Sequence, residues 1–114
     1  HPTKRQTSFF KLKIESHTVP FDNFTWQGGE AIDRERLVAF LSDPSLGIFR
    51  SKGTVHLLDG KTIQIQKVGE TIEITEAGSV QQLSSIVFIG VSNVFDSAIC
   101  ERRWKQSVLK ADEN

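Results

Sequence analysis

The stretch GIFRSKGTVHLLDGKTIQIQ, residues 47–66, decides how this chain folds. Two runs of alternating apolar and polar residues flank a turn at Asp59-Gly60, the pattern of a β-hairpin. The loop length follows from parity. A two-residue loop would set Ile63 against His56 and Ile65 against Thr54, mixing polar and apolar residues on both faces. A three-residue loop, Leu58-Asp59-Gly60, sets Ile63 against Val55 and Ile65 against Gly53. Phe49, Val55, Leu57, Ile63 and Ile65 then share one face, and Arg50, Lys52, Thr54, His56, Thr62, Gln64 and Gln66 share the other. A one-residue slip flips every side chain, so this coherence selects the three-residue loop. Gly60 supplies the left-handed residue that follows a type I turn. Gly53 falls on the apolar face, where a helix can approach closely.

Working outward, residues 8–15 alternate, with Phe10, Leu12 and Ile14 on one side, and read as a strand. Residues 16–30 read as a long connection packed on the body by Val19, Phe21, Phe24 and Trp26; the Gly28-Gly29 pair reads as a tight turn within it. AIDRERLVAFLSDP reads as a helix capped by Asp33, with Ile32 and Leu37 as a hydrophobic staple. Leu37, Phe40 and Leu41 form its apolar stripe, and Pro44 stops it at about Ser42 or Asp43. Residues 71–75 are a short strand with Ile72 and Ile74 inward. Residues 83–92, LSSIVFIGVS, are the most apolar strand and are expected at the centre of the sheet, covered at least partly on both faces. A second helix follows, capped by Asp96, with Ile99, Cys100, Arg103, Trp104, Ser107 and Val108 on its inner side and Arg103 snorkelling. The class is α+β: a mostly antiparallel sheet of about four to five strands with two helices packed on one face. The domain spans 8–110, between an N-terminal segment 1–7 and a polar tail 111–114.

Composition narrows the function. The 114 residues suffice for one domain with its own core. Fourteen basic and fourteen acidic residues cancel, leaving no global footprint for nucleic acid or an anionic membrane. Residues 1–10 lack the apolar run of a signal peptide, and no stretch approaches the roughly 18 apolar residues of a membrane span. The lack of any Met suggests a piece of a longer protein. The single cysteine, Cys100, cannot form an internal disulfide and suits a reducing, cytoplasmic setting, where it reads as a small buried hydrophobe.

The chemistry-bearing motifs are few. GxxxxGK[ST] and GxGxxG are both missing, and Gly28-Gly29 has no following Lys. His1, His17 and His56 are scattered, with no CxxC or HxxxH spacing, so no metal ligands are assigned. Arg102-Arg103 beside Trp104 reads as the edge of an amphipathic helix. No catalytic residue is assigned. The one constellation that stands out is the polar hairpin face: Arg50, Lys52, Thr54, His56, Gln64 and Gln66. It is either a docking surface or an ordinary solvated sheet face. A different class of function would use a pocket between the Trp26 loop and the sheet, making the chain a self-contained small-molecule-binding or enzymatic module.

The order of these pieces resembles the C-terminal domain of CobW-like proteins, a family of P-loop GTPases. IDRERLVAFLSD is similar to that family's first helix. GIFRSKGTVHLLDG is similar to its R-x-K-G strand, although the family often has an aromatic residue where this chain has His56. IQIQKVGETIEIT is similar to the next strand pair, and LSSIVFIG to the L-V-F-I-G strand. The resemblance covers residues 7–109. It implies a non-catalytic accessory domain of a GTP-dependent zinc or cobalt chaperone with a cobalamin-related role. Its partners would be the N-terminal GTPase domain of the same protein and a metalloprotein client. GTP, Mg and Zn or Co would belong to the rest of that protein; the Walker A loop and CxCC motif of the family are not in this sequence.

Overall fold

The computed structural model describes residues 7–9, 20–78 and 82–109. In chain order they form β1 (Thr7–Phe9), β2 (Pro20–Gly28), α1 (Arg34–Ser42), β3 (Arg50–His56), β4 (Thr62–Val68), β5 (Thr71–Glu76), β6 (Ser84–Val91) and α2 (Ser97–Trp104). A 3₁₀ turn at Pro44–Leu46 follows α1, and a π-helical turn at Lys105–Leu109 follows α2. One antiparallel sheet runs in the order β1-β2-β6-β3-β4-β5, its first strand only three residues long. The expected α+β class, with both helices against one face, is observed.

The hairpin forms in the register that parity requires. Val55 stands opposite Ile63 and Gly53 opposite Ile65. Leu57 N–H donates to Lys61 O and Gly60 N–H donates to Leu57 O, enclosing Leu58-Asp59-Gly60. Gly60 has φ +92°, the left-handed geometry that disfavours a side chain. Val55, Leu57, Ile63 and Ile65 are all buried.

The helix boundaries follow their caps. Asp33 accepts from Arg36 N–H, and Asp96 accepts from Ala98 and Ile99 N–H, satisfying free donors of each first turn. Leu37, Phe40 and Leu41 are the buried residues of α1, which ends at Ser42 before Pro44. Ile32 and Leu37 are both fully buried, as a staple requires. The inner side of α2 is narrower than its sequence suggests: Ser97, Cys100 and Trp104 are buried, followed by Val108 in the π turn. Ile99 and Ser107 are exposed, contrary to expectation, because Cys100, Trp104 and Val108 at i, i+4 and i+8 form the buried line that faces the core.

The core cluster joins both helices to the inner sheet face. At its centre Trp104 meets Phe88 at 5.1 Å, Phe40 at 5.2 Å and Trp26 at 5.3 Å between ring centroids. β6 is indeed a central strand. Its inner residues Ile86 and Phe88 are buried, while Val87 and Ile89 on the other face are only partly covered.

Three further expectations need correcting. Residues 20–28 are not a connection but a nine-residue strand paired with β6 along its length. The alternation there was hidden because Asp22 is buried on the inner side and Phe21 points to the opposite face from Phe24 and Trp26. Phe49 is not inner: it is 43% exposed. The ladder ends at Arg50, Phe49 N–H turns to donate to Ile89 O, and Ile48 takes the buried place instead. Gly53 accommodates no helix. A Cβ there would meet Ile86 Cα at 2.6 Å and Ser85 O, so the close approach is to the backbone of β6. Gly28 closes β2, and a Cβ on it would strike the Trp26 indole. The strand expected at 8–15 is seen as β1 only; residues 10–15, the segment 1–6 and the tail 111–114 lie outside the described residues.

Candidate functional site

The six residues singled out on the hairpin do share one face. Lys52 stands opposite Gln66, Thr54 opposite Gln64 and His56 opposite Thr62, and Arg50 continues the row. Partners across an antiparallel pair project to the same side, so β6 adds Val87 beside Lys52 and Ile89 beside Arg50. β4 adds Val68 opposite Arg50. None of these residues belongs to the core cluster. Both helices lie on the other side, so among the described residues this face is open.

Its chemistry is divided. One end is polar, with Thr54, His56, Gln64 and Gln66. The other end couples Arg50 and Lys52, both exposed, to an apolar strip of Val68, Val87 and Ile89. There Phe49 stacks on Phe21 at 6.5 Å, closing a shallow cavity of about 550 Å³. Neither Arg50 nor Lys52 has an ion-pair partner among the described residues. The sequence pattern missed this strip, although consecutive apolar residues in IVFIG already placed Val87 and Ile89 outward once Ile86 and Phe88 turned in.

His56 is a structural link rather than a free imidazole. Its Nε2 lies 2.7 Å from Gln82 O, and a carbonyl only accepts, so Nε2 carries the proton. Nδ1 pairs with Thr62 Oγ1 at 2.9 Å, and the backbone N–H donates to Ser84 Oγ. Both ring nitrogens are thus engaged. Cys100 is fully buried, and burial, with the Glu101 charge beside it, pushes its thiol up to about 12. A thiol held neutral is a poor nucleophile and metal ligand. Among the described residues no group of three or more His, Cys, Asp or Glu is placed to hold a metal. No helix among them is long and apolar enough to cross a membrane.

Among the described residues, the space expected as a pocket near Trp26 is filled by side chains. Trp26 lies on β2 opposite Ile86, is buried, and its ring packs on Trp104. Arg102 is exposed, and Arg103 reaches Asp43 rather than a ligand.

Fold and site together define a small α+β domain with one helix-covered and one open sheet face. The chain belongs to the family described as the cobalamin synthesis protein CobW C-terminal domain, whose model matches residues 21–107. Two solved structures share the fold. The Zn(II)-bound YjiA GTPase from E. coli matches at 15% identity with a TM-score of 0.59. A Zn(II)-bound triple mutant of YjiA GTPase matches at 14% identity with a TM-score of 0.60. Each match covers 76% of this chain and 29% of the GTPase chain, so this chain spans under a third of that protein's length. No curated protein matches.

Proposed function

We propose that this domain is the non-catalytic docking module of a CobW-like, GTP-dependent zinc or cobalt chaperone. Its open sheet face meets the GTPase domain of the same protein or a metalloprotein client. GTP, Mg and the transported metal are handled outside this domain. One observation carries the reading: among the described residues, Arg50 and Lys52 are exposed and without ion-pair partners, and they border the apolar strip of Val68, Val87 and Ile89 on a face that no helix covers. An apolar centre with a charged margin is the anatomy of a protein interface, where apolar burial gives affinity and charges give orientation. The likeness to YjiA supports a GTPase as the companion, and the neutral, buried Cys100 suits a reducing cytoplasm.

The test is binding of this chain to its GTPase domain, measured by calorimetry with and without GTP. The double variant Arg50→Glu, Lys52→Glu should weaken binding at least about tenfold while its melting curve stays in place. Unchanged affinity would reduce the polar face to a solvated surface.

A further inference from the structure

A second feature lies on the other side of the same sheet edge. Lys67, on β4, points to the inner face and is 6% exposed. Its ammonium donates to Ile48 O at 3.0 Å and to Gly69 O. It has no carboxylate partner among the described residues. An ammonium has three donors and a full charge, so two neutral carbonyls leave one N–H and the charge uncompensated. A buried charge without a counter-charge is unfavourable, and an anion that reaches it gains what water has lost.

There is space for that anion. Lys67 lines a groove of about 680 Å³ between the end of α1, residues 47–49 and β5. The volume is that of a small-molecule site. Its walls are mainly apolar, from Leu41, Ile48, Phe49, Ile72, Val91 and Val94. Two carboxylates border it and neither neutralises Lys67. Asp43 is held by Ser45 and Arg103, and Glu70 is exposed on the turn after β4. A single cation amid aliphatic and aromatic walls suits a monoanion with an apolar body. A phosphate, with more charge and more acceptors, would demand further donors.

We propose that this groove binds a small aliphatic or aryl monocarboxylic acid, its carboxylate on the Lys67 ammonium and its apolar body along Ile48, Ile72 and Val91. The groove shares Phe49 and Lys67 with the cavity of the open face but is not lined by Arg50 or Lys52, and the proposal does not depend on the docking reading. It is tested by titrating the full chain, in calorimetry and methyl NMR, with hexanoate and 4-phenylbutyrate against their uncharged amides. The acids should saturate at millimolar concentration or below and bind about tenfold more tightly than the amides. Shifts should fall on Ile72, Val91 and Val94. Lys67→Met should abolish the difference between acid and amide. Because Lys67 also ties Ile48 to Gly69, a second variant on the exposed rim, Val94→Asp, should weaken acid binding severalfold with the fold unaffected. Arg50→Glu, Lys52→Glu should leave acid binding unchanged. Equal affinity for acid and amide, absence of saturation, or loss of binding in the Arg50/Lys52 variant overturns the proposal. So does binding of an acidic, apolar peptide when the free acids do not bind, which would make the groove a protein-docking surface.

Discussion

Arg103 on α2 donates from Nη2 to Asp43 Oδ2 at 2.9 Å, across 60 positions of sequence. The same carboxylate accepts from Ser45 N–H and Ser45 Oγ at 2.9 and 2.8 Å, so Asp43 closes α1, starts the 3₁₀ turn and anchors the second helix.

That carboxyl is held below its ordinary value of 3.8 by the Ser45 hydroxyl first, then the Ser45 N–H and the Arg103 charge. A lowered pKa in the folded state adds stability that is complete above the ordinary value and lost as pH falls through the lowered one. Asp43→Asn should therefore flatten the acid limb of a stability-against-pH curve. Asp43→Ala should in addition lose the cap, at about 1–2 kcal/mol at neutral pH. Denaturant titrations between neutral and acid pH check both, and an acid limb as steep as the wild type's would contradict the assignment.

Gly53→Ala should destabilise by roughly 1–3 kcal/mol, because its Cβ would press on β6 backbone that cannot move aside. Gly29→Ala serves as the control. Among the described residues its Cβ would meet Leu83 alone, at 3.7 Å, an ordinary contact, and the melting temperature should hardly change.

Trp104 fills the centre of the aromatic core, yet its buried indole N–H has no hydrogen-bond partner among the described residues. Trp104→Ala should cost about 3–5 kcal/mol through the cavity it leaves. Trp104→Phe should cost distinctly less, since it keeps a ring and removes an unsatisfied donor. Comparable losses in urea unfolding would show that the N–H carries no penalty.

Cys100 should resist thiol reagents in the native protein at neutral pH and react only on unfolding. Its raised pKa also has a sign. The stability it contributes is complete below the ordinary thiol value of 9.0 and fades as pH rises towards about 12. Cys100→Ala should remove that alkaline decline; a native thiol that reacts as fast as a free one would refute the burial.

The hairpin was legible because its two faces admit one parity only, and the helices because Asp33, Asp96 and Pro44 punctuate them. β2 was not, since a buried Asp22 and an outward Phe21 break the alternation that marks a half-covered strand. Phe49 was misplaced because alternation holds only while the ladder lasts, and the ladder stops one residue short of it. The polar half of the open face was readable from parity. Its apolar half was not, because Val68, Val87 and Ile89 come together only through pairing between strands distant in sequence. The Lys67 groove lay beyond reach for a similar reason: parity sets Lys67 in the inner row of Ile63 and Ile65, but its burial against the Ile48 and Gly69 carbonyls and the groove beside it arise only from packing between distant elements.

The placement of β6 between β2 and β3 bears on how the chain assembles during synthesis. β3, β4 and β5 form a meander of neighbours that can pair as soon as they emerge. β2, made earlier, has no inner partner until Ser84–Val91 arrives some 56 positions after Gly28 and slots between the two halves. Such distant pairing is slow to close, so until then β2 and the free side of β3 present bare strand edges, the surfaces most exposed to wrong partners. The last strand made completes the sheet, and the aromatic centre forms only after α2 follows it with Trp104.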